Sequence, residues 1–412
     1  LMKKIKVMAI LIALGIIFAG CNMVEVNEER DRDTVVAKVN DEVILKGQVL
    51  DEAESQINMF TMYGYYPEDF TTNPKYKDDY NSLVKNVVDV LVDSTLEEIK
   101  ANEKGCYEFT EEERKELDDK IHEVLNTYIN LYAEELVQDP KYADMSEDEL
   151  GTVAYENLDE YFSEKNFGIT TQDIVDDYEG SKAKELLREL VTSLVEVTED
   201  EVKAEYANQV DDKKTSYADN SANFEQEANN DETLYYIPEN VRKAQHILIS
   251  ISDEDQAEID GYRQSGDDEK AEAKLNEALK SIEDSANEAY DRAIAGEDFI
   301  ILIEEVGEDP GMDSSEYYVV KNPTLMYATE FVDGLFALEN VGDISKPVET
   351  QFGYHIIKYY DNMESGPVAY DDLHNSIYDT MLTEKKDAYY QEQLNIWREE
   401  ADINTYYDRA IK

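Results

Sequence analysis

The chain is 412 residues long, carries a formal net charge of −58 and is 42% hydrophobic. That much apolar material excludes a disordered acidic tail, and the length implies two or more domains, each with its own core. The acid is spread along the whole sequence, so the surface repels phosphate backbones and nucleic acid is not an expected partner.

The first residues, "MKKIKVMAILIALGIIFAGC", set Lys3, Lys4 and Lys6 before an apolar run from Val7 to Phe18. The run is shorter than the ~20 residues of a spanning helix and follows a basic segment, which is the pattern of a secretory signal. Ala19-Gly20-Cys21 resembles a bacterial lipobox, with Phe18 where leucine is usual. That resemblance implies removal of residues 1–20 and a lipid on Cys21, which would anchor the chain to a cell membrane on its extracytoplasmic side. Cys106 is then the remaining cysteine, so an internal disulfide is excluded and Cys106 reads as a small buried hydrophobe. Residues 21–33 read as a polar tether.

A helical domain preceded by a hairpin is expected over residues 34–232. "TVVAKVNDEVILKGQV" alternates apolar and polar residues around Asn40-Asp41, a hairpin signal. In "NSLVKNVVDVLVDSTLEEIKANEKG", Leu83, Val84, Val87, Val88, Leu91, Leu96 and Ile99 recur at helical spacing, and Gly105 stands at the expected stop. Thr110 with Glu113, Ser146 with Glu149 and Thr198 with Glu201 have the spacing of capping boxes. Each opens an acidic amphipathic stretch, so residues 45–210 read as several helices. His122 lies mid-helix among charged residues and reads as a surface side chain. Residues 211–232 lose periodicity and read as a linker, or as the loop where a second domain begins.

A new pattern starts near residue 233. Ala244 to Ile251 reads as a buried strand carrying His246, followed by a long helix ending near Gly296 and a short one from Phe299. "EYYVV" reads as a strand, "TEFVDGLFAL" as a short helix, and "ISKPVET" and "GYHIIKYY" as two further strands, the last carrying His355. From residue 363 to the end the chain reads as one long helix with Leu394 and Trp397 on its apolar face; His374, near its start, reads as exposed.

Three ordered segments of residues 238–362 resemble the parvulin family of peptidyl-prolyl isomerases. "PENVRKAQHILI" is similar to the opening strand, with His246 at the first family histidine. "AGEDFIILIEEVGEDPG" is similar to the segment that carries an acidic residue, here Asp309. "EFVDGLFALENVGDISKPVETQFGYHIIKYY" follows the closing half and sets His355 on the second histidine. The lipobox, the helical segment and the final helix extend the likeness to PrsA-like foldase lipoproteins, and the helical part resembles SurA-like chaperones. The implied fold is α+β: a mainly helical module with an inserted domain built on a four-stranded antiparallel sheet, and a C-terminal helix (363–412) packing back on the N-terminal domain.

The resemblance also implies the chemistry. An X–Pro bond isomerises slowly because its C–N bond has partial double-bond character, with a barrier of ~18–20 kcal/mol. Lowering it requires a dry pocket for the proline ring and polar groups that favour the twisted amide; no cofactor or metal is implied. His246, His355, Asp309 and Thr350 are the expected catalytic residues, while Phe331, Met326, Tyr327 and Phe336 are expected to bind substrate. The two strand histidines are expected to bond each other; as core residues they would only pin the sheet. Two departures stand out: Ser314-Ser315 replaces a Gly-Gly pair, and Tyr327 replaces a methionine. Unfolded exported proteins are the implied partners, and a homodimer is left open. One alternative is an inactive parvulin domain in a chaperone that only binds clients. A solute-binding lipoprotein is a remote one, since residues 45–210 lack the repeated strand–helix units of that class.

Overall fold

The computed structural model describes residues 31–165, 168–312 and 317–411. The signal segment, Cys21, most of the tether and Ser314-Ser315 lie outside the described residues. The chain divides into two compact units: Leu1–Val195 with Glu384–Lys412, and Glu196–Thr383.

The first unit starts with strands β1 (Val35–Val39) and β2 (Glu42–Leu45), paired antiparallel. Asn40 turns the chain with φ 55°, a left-handed conformation that asparagine tolerates. Strand β9 (Ile403–Thr405) completes the sheet on the other side of β1. Helices α1 (Lys46–Met62), α2 (Lys77–Glu103), α3 (Glu111–Leu136), α4 (Glu147–Glu156), α5 (Leu158–Glu164) and α6 (Thr171–Thr192) follow. Along α2, Val84, Val87, Val88 and Leu96 are fully buried, as their i, i+3, i+4 spacing dictates. They share a core with Leu187 of α6 and with Tyr390, Leu394 and Trp397. Gly105 ends α2 at φ 75°. The capping boxes form at Thr110, Ser146 and Thr198, and a fourth uses Asp173 in place of glutamate at Thr170. Buried Cys106 and exposed His122 stand as read from the sequence.

The second unit holds α7 (Glu199–Asp219), α8 (Ser221–Asn229), the short pair β3 (Tyr236–Ile237) and β8 (Gly366–Pro367), and a four-stranded antiparallel sheet in the order β5-β4-β7-β6. Its strands are β4 (Val241–Ser250), β5 (Tyr318–Lys321), β6 (Val348–Thr350) and β7 (Gly353–Asn362). Helices α9 (Asp253–Gln264), α10 (Asp268–Ile294) and α11 (Phe299–Val306) lie between β4 and β5 in sequence, and α12 (Thr329–Phe336) follows β5. Helix α13 (Tyr370–Glu400) begins in this unit; its residues from Glu384 belong to the first.

The central strands are apolar on both faces, which is why they read as continuous hydrophobic runs. Ile247, Ile249 and Ile356 pack with Ala278, Leu279 and Leu302 on one face. Ala244, Ile357 and Tyr359 pack with Phe331, Val332 and Leu335 on the other.

Four sequence readings need correction. The stretch from residue 363 to the end is not one helix: β8 precedes α13, which ends at Glu400, and β9 follows it. Residues 211–232 are not a linker: α7 continues to Asp219 and α8 follows at once. Asn220 caps α8 by accepting the Ala222 N–H at 3.2 Å, and Tyr217 meets Phe224 edge to face inside a small core. The polar residues that obscure periodicity there are caps and local bonds. Helix α9 is absent from the sequence reading because Ile259 is its one buried residue, too few to set a period. His374 is half-buried, with Nε2 3.0 Å from Glu199.

Candidate functional site

Strand alternation builds the site. In the β4–β7 register His246 sits opposite Ile357 and His355 opposite Leu248, so the two histidines are diagonal neighbours on one face. Their Nδ1 atoms are 3.0 Å apart, and the side chains are 2% and 7% exposed. Asp309, three residues after α11, places Oδ2 2.8 Å from His246 Nε2. The same oxygen accepts the Tyr318 hydroxyl at 3.0 Å, while Oδ1 accepts the Gly311 N–H at 2.9 Å. A Cβ on Gly311 would sit 2.4 Å from the Tyr318 hydroxyl oxygen, so that close approach requires glycine. At the other end Thr350 Oγ1 is 2.9 Å from His355 Nε2 and accepts the Phe352 N–H at 3.1 Å.

The carboxylate fixes the proton at its end of this chain. The bond to His246 holds the Asp309 carboxyl down to about 2, against the opposing effect of burial, so it is an ionised acceptor at neutral pH. His246 therefore donates from Nε2 to that carboxylate. His355 bonds His246 through Nδ1 and Thr350 Oγ1 through Nε2. Burial, reinforced by the neighbouring His246, pushes His355 down to about 3 and keeps it neutral. The chain Thr350–His355–His246–Asp309 is thus fully satisfied and runs from the turn at β6 to the carboxylate.

Phe331 stands over both imidazoles with its ring near-perpendicular, 5.3 Å from each. It is 3% exposed and forms the inner wall of a recess of about 450 Å³. Leu248, Tyr318, Met326, Tyr327 and Phe352 contribute to its apolar lining, and Asp253, Gln256, Glu308 and Asp309 to its polar lining. Tyr327 lies along Phe331, ring centroids 5.9 Å apart, with its hydroxyl held by Asn229 at 3.2 Å. It is a wall of the recess and leaves it open.

Among the residues singled out from sequence, the structure gathers His246, His355, Asp309, Phe331, Met326 and Tyr327 around one recess, with Thr350 behind His355. Phe336 turns elsewhere. Its ring carries the Arg242 guanidinium at 4.7 Å, and Arg242 donates to the carbonyls of Leu335 and Leu338 at 2.8 and 2.9 Å. It closes the end of α12 and does not line the recess. Leu248, Tyr318 and Phe352 line it without having been singled out. Period-two alternation from His246 points to Leu248, and Phe352 immediately precedes the strand of His355.

The comparisons with known proteins agree with this geometry. Residues 246–361 match the rotamase family described as the PPIC-type PPIASE domain. The second unit thus contains a parvulin-type peptidyl-prolyl isomerase domain, with the paired imidazoles inside the matched region. Beyond that domain, the chain is similar to foldase protein PrsA of Clostridium botulinum, strain Hall, at 23% identity over 98% of each chain. It is also similar to foldase protein PrsA of Halalkalibacterium halodurans, at 30% identity over 39% of this chain and 46% of that one. Among solved structures, a SurA-like chaperone of Campylobacter jejuni aligns over 68% of this chain and 94% of its own, at 16% identity and a TM-score of 0.29.

Proposed function

We propose that this chain is an extracytoplasmic, membrane-tethered foldase that isomerises X–Pro bonds in unfolded exported proteins. The observation that carries the reading is the pair of buried, mutually bonded imidazoles beneath a recess walled by Phe331. The helical first unit serves as a client-holding module, and lipid on Cys21 as the anchor. Among the described residues no helix is long and apolar enough to cross a membrane.

Isomerisation needs no bond to be made or broken, so catalysis is differential binding. A planar amide places negative charge on its carbonyl oxygen and positive charge on its nitrogen; twisting abolishes that separation. A recess lined by Phe331, Met326, Leu248 and Phe352 excludes water and so favours the less dipolar, twisted form. Asp309, ionised at the recess, disfavours a carbonyl oxygen that carries negative charge and acts in the same sense. His246 holds Asp309 in place, while His355 and Thr350 fix the orientation of His246. Lowering the barrier by each ~1.4 kcal/mol accelerates exchange about tenfold.

The test is refolding of an unfolded exported protein whose slow phase is limited by a proline. The chain is expected to accelerate that phase catalytically, and Phe331→Ala to abolish the acceleration while still suppressing aggregation. Suppression of aggregation with no acceleration by the wild type would leave a binding chaperone and remove the enzyme.

A further inference from the structure

The isomerase family match begins at His246, yet two side chains from α8, upstream of it, bond the strand and loop that form one wall of the recess. Strand β5 pairs with β4 on one side only. Its other side would present bare main-chain groups, which an edge strand must satisfy elsewhere. Asn229, the last residue of α8, supplies the missing partner. Its Oδ1 accepts the Val319 N–H at 2.8 Å and its Nδ2 reaches the Val319 carbonyl at 3.1 Å, the two bonds a neighbouring strand would make. Accepting that N–H fixes which way the amide faces. Nδ2 then also reaches the Glu225 carbonyl at 2.6 Å and the Tyr327 hydroxyl at 3.2 Å. One turn earlier Glu225, 0% exposed, accepts the Lys321 N–H at 2.8 Å and the hydroxyl of Thr324. Between them the two residues grip β5 at alternate positions together with the start of the loop leading to Met326 and Tyr327.

We propose that Asn229 is a positioning residue for isomerisation: with Glu225 it holds β5 and the following loop so that Tyr318 and Tyr327 form one wall of the proline recess. The proposal rests on the isomerase reading of that recess and extends the working isomerase unit upstream to α8. Tyr318 is set through the main chain of Val319, and Tyr327 through its own hydroxyl. A loosened wall holds the prolyl ring less tightly in planar and twisted forms alike, so KM responds more than kcat.

The experiment uses the full chain labelled with 3-fluorotyrosine, with the two resonances assigned by Tyr318→Phe and Tyr327→Phe. In Asn229→Ala both resonances move while that of Tyr354 stays, and KM for a proline peptide rises about three- to tenfold with kcat changed less than about twofold, the pattern of lost uniform binding. Asn229→Asp keeps the acceptor for Val319 but loses the donor, so it moves Tyr327 more than Tyr318; it carries the test if the alanine variant does not fold. Gln226→Ala, exposed on the same helix, alters neither readout. Unmoved tyrosine resonances, or an unchanged KM, in folded Asn229 variants overturn the proposal. A wild-type chain that accelerates no isomerisation removes the functional reading itself, and the fluorine spectra then decide separately whether Asn229 sets the two tyrosines.

Discussion

His355 is kept neutral by burial down to about pH 3, far below where a free imidazole gains its proton. A depressed histidine costs stability once the unfolded chain starts to bind protons that the folded one refuses. Its contribution is therefore whole above about pH 6.5 and is lost as pH falls from there towards 3. Asp309, held down to about 2, acts in the same sense at lower pH: its contribution is present above 3.8 and is lost towards 2. Calorimetric melting of the second unit should thus fall between pH 6.5 and 3, and His355→Asn should flatten that slope; an unaltered slope would show that the imidazole is not buried neutral. Asp309→Asn keeps an acceptor for His246 but removes the charge. It should lower kcat/KM about tenfold, the equivalent of ~1.4 kcal/mol of lost discrimination, while an unchanged rate would take the carboxylate out of the mechanism. Gly311→Ala forces the Tyr318 hydroxyl off Asp309 and should lower the rate without unfolding the sheet, as peptide kinetics beside circular dichroism would report.

At the scale of elements, what could be read in advance was local. The Asn40 turn, the capping boxes and the stop at Gly105 each depend on residues a few positions apart, and each formed. The doubly buried strands that carry His246 and His355 were legible as apolar runs. The polar stretch 211–232 was not, because its helices are held by caps and by Asn229 and Glu225, whose partners in β5 lie some ninety residues away. No local pattern records such a bond. Phe336 was misjudged for the same reason: its neighbour Arg242 is distant in sequence. The first unit offers a test that leaves the site untouched. Leu96, fully buried in α2, packs in a core with Leu187 and Trp397. Leu96→Ala should cost about 2–5 kcal/mol in urea unfolding of that unit, with the isomerase rate of folded molecules unchanged. A small loss would mean that this core closes over the cavity or is loosely packed.

Taken whole, the molecule sets the proposed catalytic recess in one compact unit and a helical core in another, on a chain with a net charge of −58. That charge should bias which clients approach. Carboxylates of Asp253, Glu308 and Asp309 line the recess with no lysine or arginine among them, so peptides with a basic residue beside the proline should be turned over faster than acidic ones. The preference should shrink as salt rises, because the screening length falls from about 10 Å at 0.1 M to about 3 Å at 1 M. Equal rates for both peptides at low salt would show that charge at the recess plays no part in selection. The central claim is that a proline ring is held over the paired imidazoles and its amide bond turned there. Exchange NMR of a proline peptide with a catalytic amount of the whole chain tests it most directly. The account predicts cis–trans exchange accelerated well beyond the uncatalysed rate, and restored to that rate by Phe331→Ala in a folded chain. Exchange at the uncatalysed rate with the wild type, or undiminished acceleration in Phe331→Ala, would contradict it.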